Sequence, residues 1–278
     1  MSVFDEPKID SHVHLTDPDR FPFNPAVAYH PRGQEIGTLE QMREMMASYG
    51  IRHSFLVQPN SGYGTDNACL LDAIASDPAR FRGAAIVPND ASRDQLAGLK
   101  AQGVIGVALN PSLMGNDHYA DAQPLFGRLA ELDMLVNLQV EGDQITQYAP
   151  WVRDLPVRVL VDHCGRPALD RGLSQTGFQT LLDLADTGRV WVKVSGYPKF
   201  SRQRVPFTDC WPYVEALKER FTADRLLWST DWPYLRAPDR QDVGVLLRLA
   251  ERLFPDAGER RRLFWDTPAA LFGFDAPH

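Results

Sequence analysis

The sequence predicts an α/β protein of the (β/α)8 TIM-barrel class, a single domain over residues 1–278. Three observations predict it. Short apolar segments recur eight times, each followed by a stretch with helical periodicity, which is the sequence form of a parallel sheet covered by helices. No internal repeat and no linker rich in glycine or serine divides the 278 residues, a length that single barrels commonly reach. Several apolar segments also end in a residue able to do chemistry, as barrel strands do at their catalytic mouth.

The first strand is expected over residues 8–14. A long polar loop with several prolines follows over residues 15–37, large enough to cover a site. Thr38 then opens a helix as a capping box, with Gln41 placed to reach back to the Thr38 amide, and Gly50 closes it. The second strand covers 53–58. After the turn Ser61-Gly62-Tyr63-Gly64, a helix begins near Thr65 or Asp66 and carries Leu70, Leu71 and Ile74 inward. Strand three covers 83–87 with a helix at about 92–102, strand four 104–110 with a helix at 121–132, and strand five 134–140 with a helix at 142–153. Strand six covers 157–163, with a helix near 178–186. Strand seven covers 189–195, and a long loop leads from it to a helix near 212–221. Strand eight covers 225–231, backed by helices at about 242–254 and 258–271.

Hydrophobic residues make up 44% of the chain, enough for a large core, and the net charge is −7. That charge argues against nucleic acid and anionic membrane surfaces as partners, since both are bound by basic patches. The three cysteines, Cys69, Cys164 and Cys210, form no CxxC pair and no zinc-finger spacing, so reduced thiols in a cytoplasmic protein are expected. Residues 1–7 have neither a basic nor an apolar leader segment, and no apolar run approaches the length of a membrane span.

The chemistry collects where strands end. The run Arg225-Leu226-Leu227-Trp228-Ser229-Thr230 stops at Asp231, and Pro233 forbids further ladder pairing. A lone aspartate there would serve as a helix or turn cap. Other strands, however, end in His12 and His14, Gln58, Asn110, Gln139, His163 and Ser195. His12 and His14 are two apart, so strand alternation turns both rings to one face. His30, His118 and His278 fall in loops or the tail, and His53 begins a strand at the opposite mouth.

Three imidazoles and a carboxylate support two chemistries. They suit a single zinc ion that acidifies a bound water. Without a metal, Asp231 takes a proton from water as general base while the imidazoles donate hydrogen bonds to a carbonyl oxygen gaining negative charge.

The ordered set Ile9-Asp10-Ser11-His12-Val13-His14, Phe21-Pro22-Phe23, Tyr29-His30-Pro31-Arg32, Val57-Gln58, Gly64-Thr65-Asp66-Asn67, Val161-Asp162-His163-Cys164-Gly165-Arg166-Pro167 and Ser229-Thr230-Asp231-Trp232-Pro233 resembles the amidohydrolase superfamily. Within it, the chain is similar to the 2-pyrone-4,6-dicarboxylate lactonase branch over nearly its whole length. The resemblance implies a lactone hydrolase without a metal cofactor, with Asp231 as base and His12, His14 and His163 on the lactone carbonyl. It implies substrate contacts at Tyr29, Arg32 and Arg166 and one near Asn60, where the branch has a serine, and the strand ends add Asn110 and Gln139. Members with two metals place a lysine or glutamate on strand four and a histidine on strand five, where this chain has Asn110, Asn137 and Gln139. The alternative is a single zinc at His12, His14, His163 and Asp231, the residue set of the superfamily's zinc decarboxylases. A barrel that only binds a ligand is the third reading, and it leaves the general base without a use.

The resemblance also places arginines where this chain has Ala108 and Met114, and a guanidinium fork has no apolar equivalent. A lactone with its acid groups arranged differently, such as a muconolactone, or a sugar-acid lactone is therefore the expected substrate. Lys199, Arg202 and Arg204 in the loop after strand seven, and Arg236 in the last loop, are the cations that could meet an anionic one.

Overall fold

The computed structural model describes residues 2–275, so His278 lies outside the described residues. Eight parallel strands pair in chain order: β1 Lys8–Val13, β2 Ile51–Val57, β3 Phe81–Ala85, β4 Val104–Leu109, β5 Leu135–Leu138, β6 Arg158–Val161, β7 Val190–Lys193 and β8 Leu226–Leu227. Strands covered on both faces read as near-continuous apolar runs, which is why Val-Ile-Gly-Val-Ala-Leu and Arg-Val-Leu-Val stand out in the sequence. Single hydrogen bonds, not a ladder, join the last strand to the first. Ser11 N donates to Trp228 O at 3.2 Å, Asp231 N to His12 O at 3.0 Å, and His14 N to Trp232 O at 2.8 Å.

Strand eight is shorter than the predicted 225–231. Its ladder stops at Leu227 and the backbone reaches a φ of 62° at Asp231, a left-handed conformation that no strand continues. β3 begins two residues earlier than expected. The helix predicted over 142–153 is split into a 3-10 turn, Gln144–Gln147, and a helix, Ala149–Asp154, with Pro150 in its first turn. The last predicted helix is interrupted by a π-helical segment, Arg262–Asp266. The expected capping box forms at Thr38 with Gln41, and the structure adds a second at Ser92 with Gln95.

Apolar residues fill the barrel from below. Ile9, Phe55, Leu135, Leu160 and Leu227 form one buried cluster with Trp265, Phe272 and Phe274 from the C-terminal segment, and the Phe55 and Phe272 rings stack with centroids 4.4 Å apart. His53 lies in this plug, 4.5 Å from Phe274 and 5.4 Å from Trp265 between ring centroids. A second cluster fills the layer between sheet and helices. With the lower end closed by packing, the polar side chains at the strands' C-terminal ends have the other mouth to themselves. No helix among the described residues is long and apolar enough to cross a membrane.

Candidate active site

Four predicted side chains meet at that mouth. Asp231 Oδ1 lies 3.7 Å from His12 Nε2, 3.7 Å from His14 Nε2 and 3.6 Å from His163 Nε2, and the two β1 nitrogens are 3.0 Å apart. All four residues are buried.

The local chain explains the convergence. Asp10 fastens β1 to the segment after β8, its carboxylate accepting from Thr230 N at 3.0 Å, from His12 N at 3.2 Å and from the Thr230 hydroxyl. A register shift against β2 between Asp10 and Val13 aims the chain just where His12 sits. After β6, His163, Cys164 and Arg166 have φ of 53°, 58° and 43°, strain that persists only where surrounding structure enforces it. Gly196 supplies part of that enclosure. A Cβ on it would lie 2.3 Å from His163 Nδ1, so only glycine lets the β7 loop pass against the ring.

Hydrogen positions follow from the partners. His14 Nδ1 is 2.8 Å from the Val57 carbonyl, which can only accept, so a neutral His14 carries its proton there and presents a lone pair at Nε2. The proton between the two β1 rings then belongs to His12 Nε2. His163 Nδ1 is 3.1 Å from Ser195 Oγ, which receives the Ser229 hydroxyl at 2.7 Å; with the Ser195 hydrogen turned to the ring, His163 carries its N–H at Nε2. Burial, reinforced by the charge of Lys193, pushes His12 down to about 4. Burial likewise holds His163 well below its ordinary value. Burial opposes ionisation of Asp231, but Lys199 at 3.0 Å from Oδ2 and the surrounding imidazoles outweigh it and keep the carboxyl well below the usual range.

Around this centre the structure adds residues the sequence did not single out. Lys193 Nζ is fully buried between Asp162 Oδ1 at 2.8 Å, Asn137 Oδ1 at 2.6 Å and His12 Nδ1 at 2.9 Å. A signal existed: Lys193 and Ser195 are two apart, so a lysine shares the inward face of a buried strand. Asp10, quoted in the first motif, acts as the clasp described above.

A cavity of about 490 Å³ lies beside the cluster and meets it at His14, with Asn60, Asn110, Gln139 and Arg166 in its wall beside Lys199 and Arg236. Arg166 donates to Ser112 Oγ at 2.9 Å and pairs with Glu141 at 2.9 Å, while Gln139 Nε2 donates to the same serine at 3.0 Å. Ala108 lines the cavity, and Met114 is exposed away from it. Tyr29 and Arg32 line an adjoining pocket of about 350 Å³ instead. Glu35 draws that loop together, accepting from the Tyr29 hydroxyl at 2.5 Å, Arg32 N at 3.3 Å and Arg236 N at 2.7 Å. Arg236 borders both spaces. Arg202 pairs with Asp170 at 3.4 Å on the surface and Arg204 is exposed, so of the three loop cations Lys199 alone lines the cavity.

His163 Nε2 and Asp231 Oδ1 are buried without a hydrogen-bond partner among the described residues. With His12 and His14 they form three nitrogens and one oxygen, a donor set that fits a single zinc ion by type, and the ligand atoms of His12, His14 and Asp231 lie within 4.8 Å of one another.

A family model described as Amidohydrolase matches residues 9–274. The chain is 32% identical over 276 residues to a 4-sulfomuconolactone hydrolase of Rhizobium radiobacter, covering 95% of this chain and 89% of that one. It is 29% identical over 277 residues to a 2-pyrone-4,6-dicarboxylate hydrolase of Comamonas testosteroni, covering 95% and 89%. Among solved structures, a probable 2-pyrone-4,6-dicarboxylic acid hydrolase of Acinetobacter baumannii with citric acid bound superposes with a TM-score of 0.84 at 25% identity, covering 96% of this chain and 99% of that one.

Proposed function

Because the chain belongs to the amidohydrolase family, we propose that it is a lactonase that opens a carboxylated lactone by hydrolysis and needs no metal ion to do so. The observation that carries this reading is the convergence of three imidazole nitrogens on one oxygen of Asp231, within 3.7 Å, next to a cavity sized for a small molecule that the cluster meets at His14.

The roles follow from the hydrogen positions. Asp231 Oδ1 accepts from an attacking water, and His163 presents an N–H to the lactone carbonyl oxygen. The 3.0 Å contact between His12 and His14 opens when substrate enters, which turns the His12 N–H to the same carbonyl oxygen and frees the His14 Nε2 lone pair for the second hydrogen of the water. Asp231 takes a proton as the water oxygen bonds to the carbonyl carbon, and the oxyanion is stabilised by the two N–H donors. Collapse breaks the ring C–O bond. The proton on Asp231 passes to the departing ring oxygen, and a hydroxy acid results.

Arg166, Lys199 and Arg236 line the cavity and favour an anionic substrate, with Asn60, Asn110 and Gln139 available to its polar groups. Tyr29 and Arg32 would meet only a substrate long enough to reach the adjoining pocket. The Acinetobacter relative has citric acid bound, itself a carboxylate, which is in keeping with an anionic ligand. Muconolactones carry the needed acid group, and so do the monolactones of sugar diacids. Cys69, Cys164 and Cys210 are free and buried, which suits a cytoplasmic enzyme.

A second reading is kept by the two unpartnered atoms, His163 Nε2 and Asp231 Oδ1. Held by His12, His14, His163 and Asp231, a zinc ion would supply Lewis acidity for hydrolysis or decarboxylation. Chelator-treated protein, with its metal content measured, separates the readings when assayed on a panel of anionic lactones, neutral lactones and aromatic acids. Full hydrolysis of an anionic lactone at negligible metal content is the expected result. Activity that returns only with added zinc, or release of carbon dioxide in place of ring opening, would move the assignment to the second reading.

A further inference from the structure

Lys193 ends β7 deep inside the barrel, below the groups that meet substrate. Its three neighbours lie within 2.9 Å: the Asp162 Oδ1 and Asn137 Oδ1 oxygens, which accept, and His12 Nδ1, which accepts when the ring carries its proton at Nε2. An ammonium has three N–H donors and a neutral amine two, so the surroundings match the charged form. Asp162 is held in place from its other oxygen by Asn137 Nδ2 at 2.8 Å. A buried charge persists when it is paired and fully hydrogen-bonded, as this one is.

The His12 ring faces opposing demands at Nδ1. Asp162 Oδ1, at 3.2 Å, would take a proton from it, and Lys193, at 2.9 Å, offers one. A carboxylate on the far nitrogen is the usual partner of a metal-bound histidine, because it places the lone pair toward the ion. Here Lys193 opposes it from the same side and His14 from the other. The Val57 carbonyl claims the His14 Nδ1 proton, so His14 Nε2 accepts, and the 3.0 Å contact favours the hydrogen on His12 Nε2. His12 Nδ1 is left with a lone pair, and Lys193 is the donor that meets it.

We propose that Lys193 is a positioning residue that locks His12 in its Nε2–H tautomer, making the ring a hydrogen-bond donor to the substrate carbonyl instead of a ligand for a metal ion. The catalytic consequence rests on the lactonase reading; the tautomer itself does not. Lys193 acts as a switch set by one charge. With the ammonium present, His12 points a hydrogen into the site. With it removed, the charge-assisted bond from Nδ1 to Asp162 outweighs the neutral contact between His12 and His14, the proton moves to Nδ1, and a lone pair turns to the site.

The test uses the chelator-treated full chain with histidine labelled in the ring nitrogens, the His12 signals being assigned from their loss in His12→Asn. In the wild type, Nε2 of His12 should be protonated and Nδ1 not. Lys193→Met should reverse the pattern, tighten zinc binding measured by calorimetry at least about 10-fold, and lower kcat about 100-fold with KM changed less than about 2-fold. Lys193→Met leaves Asp162 a buried unpaired charge, so Lys193→Met combined with Asp162→Asn covers the case in which the single variant does not fold; its His12 ring should populate both tautomers. A wild-type ring protonated at Nδ1, or an unchanged His12 pattern in whichever variant folds, overturns the proposal. If the ring pattern changes as stated but no lactone is opened by the wild type, the lactonase reading falls and the lock stands.

Discussion

His12 is a histidine kept neutral by its surroundings, and that has a consequence for stability. Burial and Lys193 set its folded value at about 4, and burial holds His163 low as well, while both rings in an unfolded chain titrate near 6.5. Between about 6.5 and 4 the unfolded chain therefore binds more protons than the folded one, and stability falls as the pH is lowered through that window. Asp10 works in the opposite direction, because burial pushes it up to about 7 and the folded state takes up its proton first. Two rings against one carboxyl leave a net loss. Asp162 and Asp231, both held below their ordinary value, add their losses only under 3.8. Calorimetric Tm values measured from pH 7 to pH 4 should fall, and fall less in His12→Asn; a flat profile in the wild type would mean that the rings are not held neutral.

The elements position these rings through close passages of backbone. Gly196, at the end of the β7 segment, lies against His163 so tightly that no side chain fits between them, and its φ of 64° favours glycine as well. Gly196→Ala should therefore push His163 out of reach of Asp231 and lower kcat by about 100-fold or more, with a modest loss of Tm; wild-type kcat in a folded variant would show that the ring does not need its present place. Elements were legible in the sequence where one local signal decided them. Thr38 with Gln41 and Ser92 with Gln95 announce their helices, and the apolar runs of β4 and β6 announce buried strands. The end of β8 was not legible, because the backbone turn at Asp231 is enforced by Asp10 and Thr230 across the seam with β1. The same holds for the π-helical segment at Arg262–Asp266, which sits where the C-terminal segment packs under the barrel.

At the scale of the molecule, a ring of parallel strands brings residues 12, 14, 163 and 231 to one oxygen, and the closed lower end leaves them a single approach. The four were readable because each stands at a strand end, where polar side chains need a reason. Lys193 hid inside a strand, readable only once the inward face of β7 was known. Tyr29 and Arg32 belong to a loop whose path is set by Glu35 and Arg236, 201 residues apart from each other in sequence, and no local pattern fixes such a fold-back. The account stands or falls with Asp231 as the base. The decisive measurement is kcat for Asp231→Asn on the lactone that the panel selects, in a variant shown by circular dichroism to be folded. A loss of about 10²–10⁴-fold is predicted; hydrolysis at the wild-type rate would contradict it.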